Sequence, residues 1–358
     1  MSNYELPDYS KVKNDLSSMP SGDPDEIYSK GFVGAYFDPE GDEIAKDAVV
    51  SEGMPFEMED IATSEGFADQ AKSGTYILWK EVEKVGLPVN TIGYVTQPVG
   101  NCVSRATQNA LYASFCAAVA SGEGSIPPEA LEAAKSPSNP VCSEPHYWLK
   151  WGQNAQRAGG DGWHASASLA AAKDHTGLVW RKDYTSVGGP NLWTESKGTA
   201  HWRGWGAVPD TFKSFLHQHP LKTYSKCSSF QQVADAISAG YGVQSDGGQG
   251  ISKSHDEWGV SSRSGHWSHS MSVLGVVSTD EAKRKYRTQG LLLWTNSWAN
   301  WNRMNGAKVF GTDIPFPPGF YATTWETMSS RSFYAVSSVK GWPNRKLPDW
   351  SIKAKGLI

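Results

Sequence analysis

Three residue types with complementary chemistry follow one another in a set order along the chain. Asn101-Cys102 opens a segment of small residues, His269 precedes an apolar run, and Asn296 ends another apolar run. A thiol nucleophile needs a base, and the base needs a partner that fixes the orientation of its ring. The order Cys, His, Asn therefore predicts acyl transfer through a cysteine nucleophile.

The nucleophile is expected in the first turn of a helix. The stretch from Cys102 to Ala120 alternates small polar residues with larger apolar ones and is followed by Ser121-Gly122, which is typical of a helix end. Asn101 is a favourable N-cap residue, so Cys102 should start the helix. Aligned backbone dipoles at that end would favour the thiolate.

The base and its orienter are expected on two neighbouring strands. His269 stands at the entrance of the apolar strand 271–277, and Asn296 follows the run 291–294. Antiparallel pairing of these strands would bring the Asn296 amide oxygen to the imidazole and fix its tautomer. Trp298 would cover this contact from water. His266 is the alternative base, but its place beside Trp267 indicates a residue at the rim of a cleft.

The remaining pattern indicates an α+β fold in which helices come first and an antiparallel sheet follows. Capping and periodicity predict two further helices over 163–173 and 230–239, the second with a capping box of Ser229 and Gln232. Strand-like segments are 241–245, 271–277, 290–295 and 331–339.

Composition excludes several classes of protein. The chain has 358 residues with 39% hydrophobic and 12% aromatic content, enough for a buried core. Its apolar runs are too short to cross a bilayer, and the N-terminal sequence lacks the pattern of a secretion signal. These features predict a cytoplasmic protein that is not secreted by the ordinary signal route and has no membrane contact. The four cysteines do not indicate a disulfide framework or a zinc site.

Charge divides the chain unevenly. Residues 1–90 hold 19 acidic and 7 basic residues, a balance of −12 within a total of −4. We interpret 1–76 as an acidic N-terminal arm, 77–342 as the folded domain and 343–358 as a C-terminal tail. The arm would either lie across the site or reach a neighbouring chain of a larger assembly, and we favour the outward course because the arm shows no inhibitory pro-segment pattern. The basic surplus elsewhere is too dilute to indicate a nucleic-acid partner.

Two segments contain residue types that can bind metal ions. The acidic stretch 38–43 lacks the ligand alternation of a calcium loop, and His217-Gln-His219 has no third ligand in view. We therefore predict neither a metal nor a cofactor.

Four motifs together resemble those of papain-like cysteine peptidases over roughly residues 77–342. They are Gln97-Pro-Val-Gly-Asn-Cys102, Gly159-Gly160-Asp-Gly-Trp163, His269-Ser-Met-Ser-Val-Leu-Gly275 and Asn296-Ser-Trp298. The resemblance implies a helical half that carries the cysteine and an antiparallel β half that carries His and Asn. Gln97 stands one residue closer to the cysteine than is usual in that family, and Val103 replaces the usual Trp.

The same resemblance implies a function for each motif residue. Cys102 would be the nucleophile, His269 the base and acid, and Asn296 the orienter. Gln97 would be the side-chain donor of an oxyanion hole, with the Cys102 N–H as the second donor. Gly159, Gly160 and Trp298 would be substrate-binding residues, with the glycines pairing to an extended substrate.

The function predicted first is hydrolysis of amide bonds in a peptide or protein substrate through a thioester at Cys102. The alternative is a structural component of a viral (phage) particle that uses the papain-like scaffold, since 317–321 through 340–342 look like papain-like proteins of tailed phages. A cell-wall amidase of the NlpC/P60 type is a third possibility, against which the Asn-Ser-Trp motif argues.

Overall fold

The computed structural model describes residues 35–36, 74–94, 97–122, 124–150, 163–222, 224–298, 304 and 306–336. Most of the predicted arm and the whole predicted C-terminal tail lie outside these ranges. None of the helices in the described ranges has the length and apolarity that a bilayer-spanning helix needs.

Helices dominate the first half of the described chain. They are α1 (Leu78–Lys84), α2 (Asn90–Tyr94), α3 (Cys102–Ala120), α4 (Pro128–Ala133), α5 (Glu144–Lys150), α6 (Ala165–Asp174), α7 (Lys197–Ala200) and α8 (Asp210–Leu216), followed later by α9 (Phe230–Ser238), α10 (Asp280–Tyr286) and α11 (Trp325–Met328). The long helix α3 has the bounds predicted from sequence. It is buried along nearly its whole length, because its many small residues allow neighbours to approach closely.

An antiparallel sheet forms the second half. Its strands are β2 (Thr75–Ile77), β4 (Tyr224–Cys227), β5 (Val243–His255), β6 (Ser261–Val277), β7 (Leu291–Thr295), β8 (Phe320–Thr324) and β9 (Ser332–Val336). The hydrogen-bonded order is β4-β9-β5-β6-β7-β8, with β2 beside β6. Helix α3 packs on β6 and β5, so the cysteine helix meets the strand that carries His269. The predicted α+β class, with its two halves, is confirmed.

Three local predictions need correction. The helix predicted over 163–173 begins at Ala165, because Trp163–His164 form a short strand, β3. Strand β6 begins at Ser261, so His269 lies in its middle and not at its entrance. The Ser229 side chain caps α9 as predicted, but the Gln232 side chain accepts from the N–H of Ser228 instead of Ser229.

Two pieces of the predicted arm are described. Thr75–Ile77 pair with the end of β6, so the last residues of the predicted arm belong to the sheet. Ala35–Tyr36 form β1, which pairs in parallel with Trp163–His164 and lies beside β5 and β6. At least this part of the arm therefore runs along the junction of the two halves.

Candidate active site

Cys102 is the first residue of α3, as the sequence predicts. Asn101 occupies the N-cap position, but its side chain makes no capping hydrogen bond. Its amide nitrogen instead donates to Ser143 Oγ at 3.1 Å and to Glu195 Oε1 at 3.0 Å. The residue before the cysteine is thus tied to the surrounding helical half through its side chain.

Glu195 belongs to a buried network of four charged side chains. It pairs with Arg105, one turn along α3, and lies 3.7 Å from the Arg181 guanidinium. Arg181 in turn donates to both oxygens of Glu144, at 2.9 and 3.2 Å. None of these side chains is more than 2% exposed. Two cations and two anions balance one another, as burial of ionic groups requires.

His269 contacts Asn296 as the sequence predicts, with 2.8 Å between Nε2 and Oδ1. The Ser297 backbone N–H donates to the same Oδ1 at 2.7 Å, which identifies this atom as the amide oxygen. Since an amide oxygen only accepts, His269 Nε2 must carry the proton and donate it. In the neutral imidazole Nδ1 is then the basic nitrogen.

Two tryptophans enclose this contact. The Trp298 ring stacks on His269 with 4.2 Å between ring centroids, and Trp267 meets Trp298 edge-on at 5.0 Å. Trp298 is 1% exposed. Its enclosed position agrees with the predicted cover of the Asn–His contact, and its predicted contact with a substrate stays a prediction.

The thiol of Cys102 lies against the strand that carries the base. The backbone N–H groups of Ser270 and Val103 act on the sulfur and favour its thiolate, but complete burial outweighs them and raises the pKa of Cys102 to about 12. Burial likewise lowers the pKa of His269 to about 3, opposed by its bond to Asn296. Because both side chains are fully buried, we call this the closed form of the site. It holds a neutral thiol and a neutral imidazole.

Two charged residues that the sequence analysis missed lie beside this pair. Burial raises the pKa of the Asp246 carboxyl to about 6 against the hydrogen bonds of Ser270 and Gln244, and its charge disfavours the Cys102 thiolate. The Arg331 guanidinium acts in the opposite direction on Cys102. Asp246 lies in β5 and Arg331 directly precedes β9, so a charged residue within or next to a strand is the signal that could have revealed them.

Gln97, the predicted oxyanion donor, is anchored beside the orienter. Its backbone N–H donates to the Ser297 carbonyl at 2.9 Å, and its side-chain oxygen accepts from Ser297 Oγ at 2.5 Å. One amide N–H donates to the Val99 carbonyl at 3.0 Å. The structure thus places Gln97 next to the Asn296 segment, with its amide nitrogen turned toward its own loop.

The other sequence candidates are placed as follows. His266 is exposed, and its ring lies so close to Gly248 that a Cβ there would be 2.1 Å from Cε1. It does not replace His269. His217 and His219 follow α8, and the described ranges contain no cluster of three or more metal-ligating side chains. Gly159 and Gly160 lie outside the described residues.

Several solved structures to which the fold of this chain is similar are cysteine proteases. No family model and no curated protein sequence matches the chain. Xylellain from Xylella fastidiosa is similar with 11% identity and a TM-score of 0.45, over 87% of this chain and 93% of that one. Digestive procathepsin L2 from Tenebrio molitor is similar with 11% identity and a TM-score of 0.46, over 91% and 83%. For procathepsin B from Trypanosoma congolense the values are 9% and 0.46, over 88% of each chain.

Proposed function

We propose that this chain is a papain-like cysteine peptidase that hydrolyses amide bonds through a thioester at Cys102. The observation that carries the proposal is the bond from His269 Nε2 to Asn296 Oδ1, made on the strand against which the Cys102 thiol lies. Identities of 9–11% leave the chemistry to be inferred from the chain's own residues.

The tautomer of His269 gives each atom a function. Nδ1 accepts the thiol proton while the sulfur attacks the carbonyl carbon of the substrate, and the Cys102 N–H, at the start of α3, faces the developing oxyanion. Collapse of this intermediate breaks the C–N bond, and the imidazolium returns its proton to the leaving amine. A water molecule, deprotonated by His269, then attacks the thioester carbon and releases the acid and the thiol.

The closed form must open before this chemistry starts. Because burial is the main cause of the raised pKa of Cys102 and of the lowered pKa of His269, admitting water or substrate would bring both pKa values toward the thiolate–imidazolium pair. The pairing of β1 with Trp163–His164, beside β5 and β6, supports an arm that covers the site rather than the outward arm that the sequence, without a pro-segment pattern, favours.

Cysteine reactivity and turnover test the proposal together. Iodoacetamide and an epoxide warhead should modify Cys102 faster than Cys116, Cys142 and Cys227, which are also buried and so serve as internal controls. Peptide turnover should vanish in Cys102→Ala. A chain from which residues 1–73 have been removed should turn over peptides faster than the full chain.

The contrary outcomes are distinct. Equal turnover by Cys102→Ala and the parent would refute the peptidase. Absence of both labelling and turnover, with or without the arm, would favour the scaffold alternative. Faster labelling of the full chain than of the shortened one would show that the arm does not cover the site.

A further inference from the structure

The guanidinium of Arg331 uses all of its donors on the strands that carry the site. Nη1 donates to the carbonyls of Gly247 and Gln249, each at 3.0 Å. Nη2 donates to the Ser245 carbonyl at 3.2 Å and to the carbonyl of His269, and Nε donates to Ser245 Oγ at 3.2 Å. These five acceptors match the five N–H groups of an arginine.

The acceptors mark an irregularity in the sheet. Gly247 pairs with His269, but the next pair is Gln249 with His266, so the register of β5 against β6 shifts here. Such a shift leaves backbone carbonyls without ladder partners and redirects nearby side chains. Arg331 supplies donors to the carbonyls on both sides of the shift.

Gly247 makes this approach possible. A Cβ at this position would lie 2.9 Å from Cγ of Arg331 and 3.1 Å from its Cα and Cβ. A side chain there would push Arg331 away from the strand. The glycine opposite His269 and the arginine therefore form one packing unit.

Stability alone does not account for a cation at this place. Arg331 is 5% exposed, all five of its hydrogen bonds go to uncharged acceptors, and the buried Asp246 carboxyl acts on it through charge without a hydrogen bond. Burying a charge without a direct ion pair costs free energy that hydrogen bonds to neutral acceptors offset only in part. Its charge nevertheless reaches the reacting groups, because it favours the Cys102 thiolate and disfavours the His269 imidazolium.

We propose that Arg331 is a positioning residue for His269: it fixes the backbone of β6 at His269 and the shifted register of β5. Its charge acts on the same site, where it favours the thiolate of Cys102. The proposal rests on the proposed function, in which His269 is the base. A displaced imidazole would transfer the proton poorly even with Asn296 in place, since small misplacements of a catalytic group are costly.

Three variants test it. Arg331→Met keeps much of the apolar stem but removes the charge and all five donors, and Arg331→Lys keeps the charge with fewer donors. Arg331→Ala leaves space for added guanidinium ion at concentrations below those that unfold the protein. Val233→Ala, in the buried part of α9, is the control for loss of stability, because an apolar side chain makes none of the hydrogen bonds that hold the site.

We expect kcat to fall about 100-fold in Arg331→Met with little change in KM, the scale of a misplaced catalytic group. The kcat of Arg331→Lys should lie between those of the parent and Arg331→Met, and added guanidinium should partly restore the kcat of Arg331→Ala. Cys102 alkylation should shift to higher pH, and the pKa of His269, followed by NMR of its ring, should rise because a neighbouring cation is gone. Val233→Ala should lower Tm without these changes.

The outcomes separate the two proposals. Suppose that the parent turns over peptide. Arg331 then has no positioning function if Arg331→Met keeps the kcat and the pH profile of the parent. The same conclusion follows if Arg331→Met loses only as much activity as Val233→Ala and added guanidinium does not restore Arg331→Ala. If the parent neither turns over peptide nor labels at Cys102, the peptidase fails. The pKa of His269 then decides about Arg331: an unchanged value overturns the inference, and a raised value supports it.

Discussion

The Cys102 side of the site is anchored by four buried charged side chains, whereas the His269 side is anchored by backbone acceptors and stacked rings. On the first side, Glu195 accepts a hydrogen bond from the Asn101 side chain and forms an ion pair with Arg105. On the second side, Asn296 and Trp298 fix the imidazole. The nucleophile thus depends on charge balance at a distance from the reacting atoms, and the base depends on direct contacts.

The largest effect is expected from breaking the charge balance. Glu195→Ala would leave Arg105 and Arg181 with one buried carboxylate fewer, and such a loss typically costs about 3–5 kcal/mol of stability. Urea unfolding measures it. Glu132→Ala is the matched control, because its pair with Lys135 is exposed and pairs of that kind are worth about 0–1 kcal/mol. Equal losses in the two variants would contradict the proposed anchoring.

On the base side, Asn296→Ala should reduce kcat while leaving the fold intact. The imidazole loses the acceptor that fixes its tautomer, but stacking on Trp298 retains part of its orientation. The loss should be smaller than the full contribution of a general base, which is about 100-fold or more. Steady-state kinetics measure it, and a loss as complete as that of Cys102→Ala would show that stacking retains nothing.

The two halves should also respond alike to acid. Burial lowers the pKa of His146, in the helical half, to about 3, as it does for His269. Since the unfolded chain binds these protons near pH 6.5, stability should fall as the pH drops from about 6.5 toward 3. His146→Gln should show a smaller stability difference between pH 7 and pH 4.5. A difference equal to that of the parent would refute the buried neutral His146.

The smallest effect is expected for Trp298→Phe. The smaller ring keeps an aromatic face toward His269 but contacts less of it, and aromatic pairs are worth about 0.5–1.5 kcal/mol beyond their buried area. A modest loss of kcat with unchanged KM is expected in steady-state kinetics. A raised KM with unchanged kcat would instead support the predicted contact of Trp298 with substrate.

The parts of this site that sequence could predict are the ones with local signals. The helix start at Cys102 follows from Asn101 and the small residues after it, and the contact of His269 with Asn296 follows from two apolar strands. The helix over 163–173 was predicted two residues too early, because strand pairing with β1 overrides the local pattern at Trp163–His164.

Long-range contacts explain what sequence could not predict. Nothing near Asn101 indicates that its amide contacts Glu195, 94 residues away, instead of capping the helix. Arg331 finds acceptors 62 to 86 residues earlier in the chain, and their spacing depends on a register shift that no periodicity reveals. The partners of both residues are distant in sequence and come close only in the folded chain.

The place of Arg331 in the chain has a consequence for the order of synthesis. It directly precedes β9, the last strand of the described residues, which inserts between β4 and β5 in the sheet. Chains emerge from the ribosome from the N-terminus, and their domains fold as units. A nascent chain that already contains Cys102, His269 and Asn296 still lacks the strand that pairs with β5 and the guanidinium that donates to carbonyls of both β5 and β6. The peptidase we propose would therefore acquire its activity only after β9 has left the ribosome.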